Sequence, residues 1–298
     1  MRKKLTAVLL AATMLLTSGV TVFADRVDAV IDKPYLALGA DLSPQEQMTV
    51  LSLLGLSDIN VDDYDIISMT NADEHEYLDK YLDASIIGTR ALSSVLVVGK
   101  EAGNGIHVTT KNISYCTEGM YRNALLTAGI EDADITVAGP FSISGTAALV
   151  GAIKAYETMT GEEIDDENLD AANDELVLTG KLVEDIGDSE KAEDLMALVK
   201  QEVAENKLTS AEDIQNVVDQ ACDQLDIQLS EENQKQIAEL MKKIEGLDLD
   251  VDKLKDQAKD LYQKLENLDF HVDKESVGNF FTRIIDAIVK FFQGLFGK

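Results

Sequence analysis

Between residues 35 and 161 the chain alternates two kinds of hydrophobic pattern. Short apolar runs predict strands: "YLALGA", and the β-branched "YDIISMT", "SSVLVV", "GIHVTT" and "DITVAG". Between them the apolar residues recur at helical spacing. "LSPQEQMTVLSLLGL" places Ser43 at an N-cap, Pro44 at the first helical position with Gln47 nearby, and Gly55 as the stop. "NADEHEYLDKYL" opens on Asn71 with acids in its first turn, where they complement the helix dipole. "SYCTEGMYRNALLTAGI" stops at Gly129, and "SGTAALVGAIKAYETMTG" stops at Gly161. The Gly-rich "GKEAGNG" between the third and fourth strands predicts a hairpin loop. The order β-α-β-α-β-β-α-β-α predicts an α/β module of about five strands over residues 25–161.

From "GEEIDDENLD" onward the strand signal and the prolines stop. Helical patterns over about 165–185, 190–206, 210–226, 230–246 and 250–268 predict a helical module over residues 162–270, punctuated by Gly187, Ser210, Ser230 and Gly246. The fold class is therefore α+β. Apolar residues at Ile237, Leu240, Ile244, Leu247, Val251, Leu254, Ala258, Leu261, Leu265 and Leu268 alternate spacings of three and four, a heptad seam. The seam fits one long helix. Gly246 followed by spaced aspartates favours instead a stop and a new cap, and so an antiparallel hairpin.

The two ends differ from everything between them. Arg2, Lys3 and Lys4 precede the apolar "LTAVLLAATMLL", and "VFA" before Asp25 has the small residues of a signal-peptidase site. Residues 1–24 thus read as a signal peptide, which places the protein outside the cell or on the outer side of its envelope. At the other end, residues 271–298 predict an amphipathic helix. Phe281, Ile284, Ile288, Phe291 and Leu295 make a stripe that Phe280 and Phe292 widen, while Arg283, Lys290 and Lys298 against Asp286 give a local charge of +2. That face fits a membrane surface, a protein partner or the chain's own core.

Charge narrows the partners. The 298-residue chain carries 55 Asp and Glu against 26 Lys and Arg, a net of -29, which becomes -32 without the three cations of the leader. Nucleic-acid binding begins with neutralising phosphates by Lys and Arg, so it is excluded as the main activity.

Catalytic and metal signatures are absent. His75, His107 and His271 have no partners at helical spacing, and no HExxH, GxSxG or SxxK pattern occurs. Two stretches imitate calcium loops. Asp58, Asn60 and Asp62 are followed by Asp63 and Met69 where glycine and glutamate are required, and Asp248, Asp250 and Asp252 fail in the same way. No metal, cofactor or catalytic set is assigned. Cys116 and Cys222 fit either one disulfide or two buried thiols.

The turn in "VAGPFSISGTAALVGAIKAYE" is the one candidate ligand site. Ser142, Ser144, Gly145 and Thr146 stand where a strand becomes a helix, and free N–H groups there suit a small anion or a sugar hydroxyl. Compared with a P-loop, the glycine spacing is one residue too long and Thr146 replaces the phosphate-binding lysine, which argues against an ATPase. The structural alternative is that Ser142 and Ser144 cap the helix while Gly145 permits close packing.

The stretches "ALGADLSPQEQMTVLSLLGL", "GNGIHVTTKNISYCTEGMYRNALLTAGIEDADITVAGP" and "SGTAALVGAIKAYE" together resemble the YpuA-like family, secreted proteins of Firmicutes with a domain of no assigned function. The resemblance implies export and a shared fold, and it supplies no reaction or catalytic residue. The sequence thus points to a non-enzymatic binding or interaction module of the cell envelope. The alternative is an extracellular hydrolase of wall material, since 55 acidic residues leave room for a catalytic carboxylate pair.

Overall fold

The structure, a computed structural model, describes residues 33–57, 60–161, 163–247 and 249–257. The leader 1–24 and the amphipathic segment 271–298, with Phe280, Phe281, Ile284, Ile288, Phe291, Phe292 and Leu295, lie outside the described residues.

Strands β1 (Tyr35–Gly39), β2 (Asp65–Met69), β3 (Ser94–Gly99), β4 (Ile106–Ile113) and β5 (Ala133–Ile143) form one mixed sheet in the order β2-β1-β3-β5-β4. β1 pairs with β2 in parallel and β4 with β5 in parallel, while the central β3 is antiparallel to both its neighbours. Four strands therefore run the same way, and their carboxyl ends gather at one end of the sheet.

The hairpin expected across "GKEAGNG" does not form, because β5 lies between β3 and β4. β5 is buried on both faces, through Ile135 and Val137 on one and Ala138 on the other, as an inner strand must be. β4 exposes His107 and Thr109, which suits an edge. The Gly-rich loop is tied instead to the start of β5, where Asp132 Oδ1 accepts the N–H groups of Gly103 at 3.0 Å and Gly105 at 2.7 Å.

Helix α1 (Pro44–Leu53) covers one face of the sheet, with Val50 and the adjoining Leu54 packed on Leu36 and Ala138. Its start is a capping box between Ser43 and Glu46. On the other face lie α2 (Asn71–Leu78), α3 (Ala84–Ile87), α4 (Glu118–Thr127) and α5 (Thr146–Thr160), over Ala37, Val95, Val97, Ile135 and Val137. α2 is capped by Thr70 rather than Asn71. α5 packs tightly on the sheet at Gly151, where a Cβ would sit 2.8 Å from that of Ala37.

The chain then runs through α6 (Asp166–Ile186), α7 (Ser189–Asn206), α8 (Ala211–Gln224) and α9 (Glu231–Glu245). Leu182, Leu195, Leu198, Val199, Val218, Ile237 and Met241 belong to a second, helical core. Ala172 and Leu176 of α6 reach into the sheet-side core instead.

The heptad seam breaks where Gly246 and the aspartates suggested. α9 ends at Glu245, and Asp250 Oδ1 caps a new helical stretch, 251–257, by accepting from the Asp252 N–H at 2.9 Å. The two pieces do not zip together within the described residues. Ile237, Leu240 and Ile244 enter the helical core, Leu254 enters the sheet-side core, and Leu249 packs against both. The three-four spacing there records two separate burials.

Candidate functional site

The turn singled out by the sequence lies at the carboxyl end of β5, among the loops that follow β1 and β2. Gly145 is the N-cap of α5 with φ +99°, a left-handed conformation that glycine adopts without strain. A Cβ there would lie 2.7 Å from both Ile113 Cγ2 and the Tyr121 hydroxyl. The Gly145 carbonyl accepts the Tyr121 O–H at 2.5 Å. Thr146 is buried, and its hydroxyl donates to Glu74 Oε1 at 2.7 Å. The Ser144 hydroxyl is 3.1 Å from that of Thr146.

The side chain that caps α5 is Ser93, from the loop before β3. Its Oγ accepts the Ala148 N–H at 2.9 Å. Ser142 is exposed and stands beside Phe141, which is 49% exposed. Both belong to an excursion of β5, since Lys111 pairs with Ala138 and Ile113 with Ile143. Asn112, at φ +59°, steadies it by donating from Nδ2 to the Gly139 carbonyl at 3.1 Å.

Behind the turn sits a desolvated acid. Glu74 is 1% exposed on the inner face of α2. Burial raises its pKa. The Thr146 hydroxyl and the Asn71 amide, which donates to Oε2 at 3.1 Å, work in the opposite direction. Burial likewise pushes the Cys116 thiol up to about 12, with the Glu74 charge adding to it. Glu74 escaped the sequence reading. Its one signal was spacing, because it lies four residues before the buried Leu78 and so on the same helical face.

A second buried polar network joins α4 to α6 and α7. Lys200 and Glu175 are both fully buried. The ammonium lies 3.0 Å from Oε1 and 3.1 Å from Oε2, and only the second approach has hydrogen-bond geometry. Lys200 also donates to the Asn123 carbonyl at 2.9 Å and to the Thr127 hydroxyl at 3.1 Å. Burial lowers the Lys200 pKa, and Glu175 partly offsets that. At the start of α4 the Thr117 hydroxyl donates to Glu193, whose pKa burial raises.

A cleft formed by the described residues lies elsewhere. It encloses about 210 Å³ between the end of α4 (Leu126, Gly129), the start of α6 (Asp165, Asn168) and the segment 249–254. Neither Glu74 nor Thr146 lines it. Among the described residues no three His, Cys, Asp or Glu side chains are arranged to hold a metal ion, and no helix is long and apolar enough to cross a membrane. Cys116 and Cys222 are free and buried, Cys116 in the sheet-side core and Cys222 in the helical core.

No solved structure matches the chain. A curated relative, the "Uncharacterized protein YpuA" of Bacillus subtilis (strain 168), is 38% identical over 296 residues, which cover 98% of this chain and 100% of that protein. The family described as "Protein of unknown function (DUF1002)" matches residues 38–261, which take in the sheet from Leu38 of β1 onward, the buried Glu74 and helices α1 to α9. The chain belongs to the DUF1002 family, by a match that covers most of its length.

Proposed function

We propose that the protein is exported and works on the outer side of the cell envelope as a non-enzymatic interaction module. One observation carries this reading: the polar groups of the β5–α5 turn are engaged inward. Thr146 is bonded to Glu74, the Gly145 carbonyl to Tyr121, and the Ala148 N–H to Ser93. A carboxylate so close to Thr146 also opposes a phosphate. What this strand end turns outward is Phe141 with Ser142, a feature suited to contact rather than to turnover.

Export rests on the leader pattern of residues 1–24, and attachment on the aromatic stripe of 277–296 with its charge opposite to that of the chain. The test is fractionation and vesicle binding. Envelope-associated protein is expected to begin at Asp25. The same protein is expected to sediment with phosphatidylglycerol–phosphatidylethanolamine vesicles and to lose that association on Phe281→Ser with Phe291→Ser, with an unchanged melting temperature. A mature chain beginning at Met1 refutes the cleavage. A double variant that melts much earlier, from a protein that never bound vesicles, assigns the stripe to the core.

The hydrolase alternative has one observation in its favour, the desolvated Glu74, whose environment resembles that of a general acid. Release of fragments from purified cell wall, abolished by Glu74→Gln in a folded variant, would establish it over the first reading.

A further inference from the structure

Among the described residues, the segment 249–257 is tied to α4, to α7 and to the start of β5 through side chains. It follows the end of α9 and is held at separate points by single side chains. Leu254, 2% exposed, enters the sheet-side core. Lys253 Nζ pairs with Asp132 Oδ2 at 2.5 Å, Lys255 pairs with Glu205 of α7 at 2.8 Å, and the Gln257 amide donates to Asn123 of α4. By contrast, α9 buries Ile237, Leu240, Met241 and Ile244 along one face.

Beneath the segment lies the cleft. Leu249, Asp250, Lys253 and Leu254 form one wall of the 210 Å³ cleft, and Leu126, Gly129 and Asn168 stand on the other. Side chains that line a cleft open to water make fewer protein contacts than those in a filled core. An element with one fully buried apolar side chain among the described residues, and a water-accessible cleft at its back, belongs to the low-stability end of a structure.

We propose that residues 249–257 form a detachable strap that closes the end of α4 and the start of β5, and that its release opens the cleft. Lys253 is the catch. It holds Asp132 by Oδ2 while Oδ1 of the same carboxylate holds Gly103 and Gly105, so the strap and the Gly-rich loop are fastened to one side chain. Release frees Lys253 and lifts Leu254 from the core, uncovering Leu126. α9 keeps its own apolar face in the helical core, so the fold survives the opening.

The experiment is hydrogen exchange on the full chain, paired with thermal melting. In the wild type the amides of 251–257 are expected to exchange at least about tenfold faster than those of α5 and α9. Lys253→Ala is expected to raise exchange in 251–257 and in the neighbouring stretch 126–131 together, leaving α5, α9 and the melting temperature unchanged. Lys253→Arg, which keeps the cation, is expected to restore the wild-type pattern. If 251–257 exchanges in step with α9, or if Lys253→Ala speeds α5 and α9 equally, the segment is ordinary core and no strap exists. Leu254→Ala gives a second reading: accelerated exchange confined to 126–131 and 251–257 supports the strap, and a global loss of protection overturns it.

Discussion

Lys200 and Glu175 meet inside the molecule, with the ammonium 3.0 Å from the carboxylate and no solvent reaching either side chain. Removing one partner leaves the other charge buried and uncompensated. Lys200→Ala is therefore expected to cost about 3–5 kcal/mol in urea unfolding. Lys200→Met combined with Glu175→Leu removes both charges and is expected to recover most of that loss. A cost below about 1 kcal/mol for the single change would place the pair in contact with water.

Glu74 makes stability depend on pH in a defined direction. Its pKa in the folded protein lies above its ordinary value, chiefly through burial, so the folded state holds this proton more tightly than the unfolded chain does. Its contribution is greatest below about pH 4.3, the unfolded value, and is lost as pH rises through the folded value. Glu74→Gln abolishes the titration. The stability of the wild type minus that of Glu74→Gln, measured by urea unfolding from pH 4 to pH 8, is expected to fall as pH rises. A difference that rises with pH would mean that Glu74 is held as a carboxylate by its donors.

The thiols offer a chemical check on the packing. Burial pushes Cys116 up to about 12 and Cys222 up to about 11, and the two sit in different cores. Reaction requires the thiolate and access to it. Neither is expected to react with Ellman's reagent in the native protein at pH 8, and both are expected to react in denaturant. A native disulfide would show as no free thiol even after unfolding without reductant.

Local features of the fold were legible because their physics is local. Ser43, Ser210 and Ser230 cap helices, and Gly161 and Gly187 end them in the left-handed conformation, as their residue types imply. Four of the five strands fell where β-branched runs stood, and β1 fell in the apolar "YLALGA". The sheet order was not legible, since the slot filled by β5 depends on pairing across long separations. The same holds for the candidate site. Thr146 and Glu74 lie 72 residues apart and Ala148 and Ser93 lie 55 apart, so the capping and desolvation around the turn leave no mark in its own sequence. Lys200 reads as an ordinary helix charge. Only the approach of α4 and α6 makes it an interior residue.

The position of β5 also constrains how the sheet can be assembled. β3 and β4 are consecutive in the chain yet leave a strand-wide gap between them that only Ala133–Ile143 fills. Whatever the order in which the other strands pair, the facing edges of β3 and β4 stay open until β5 arrives between them. Open strand edges are templates for wrong pairing, and closing the gap is a non-local, slow event. A chain cut before residue 133 would thus carry two unsatisfied edges instead of a smaller stable sheet, and the sheet becomes complete only in a single late insertion.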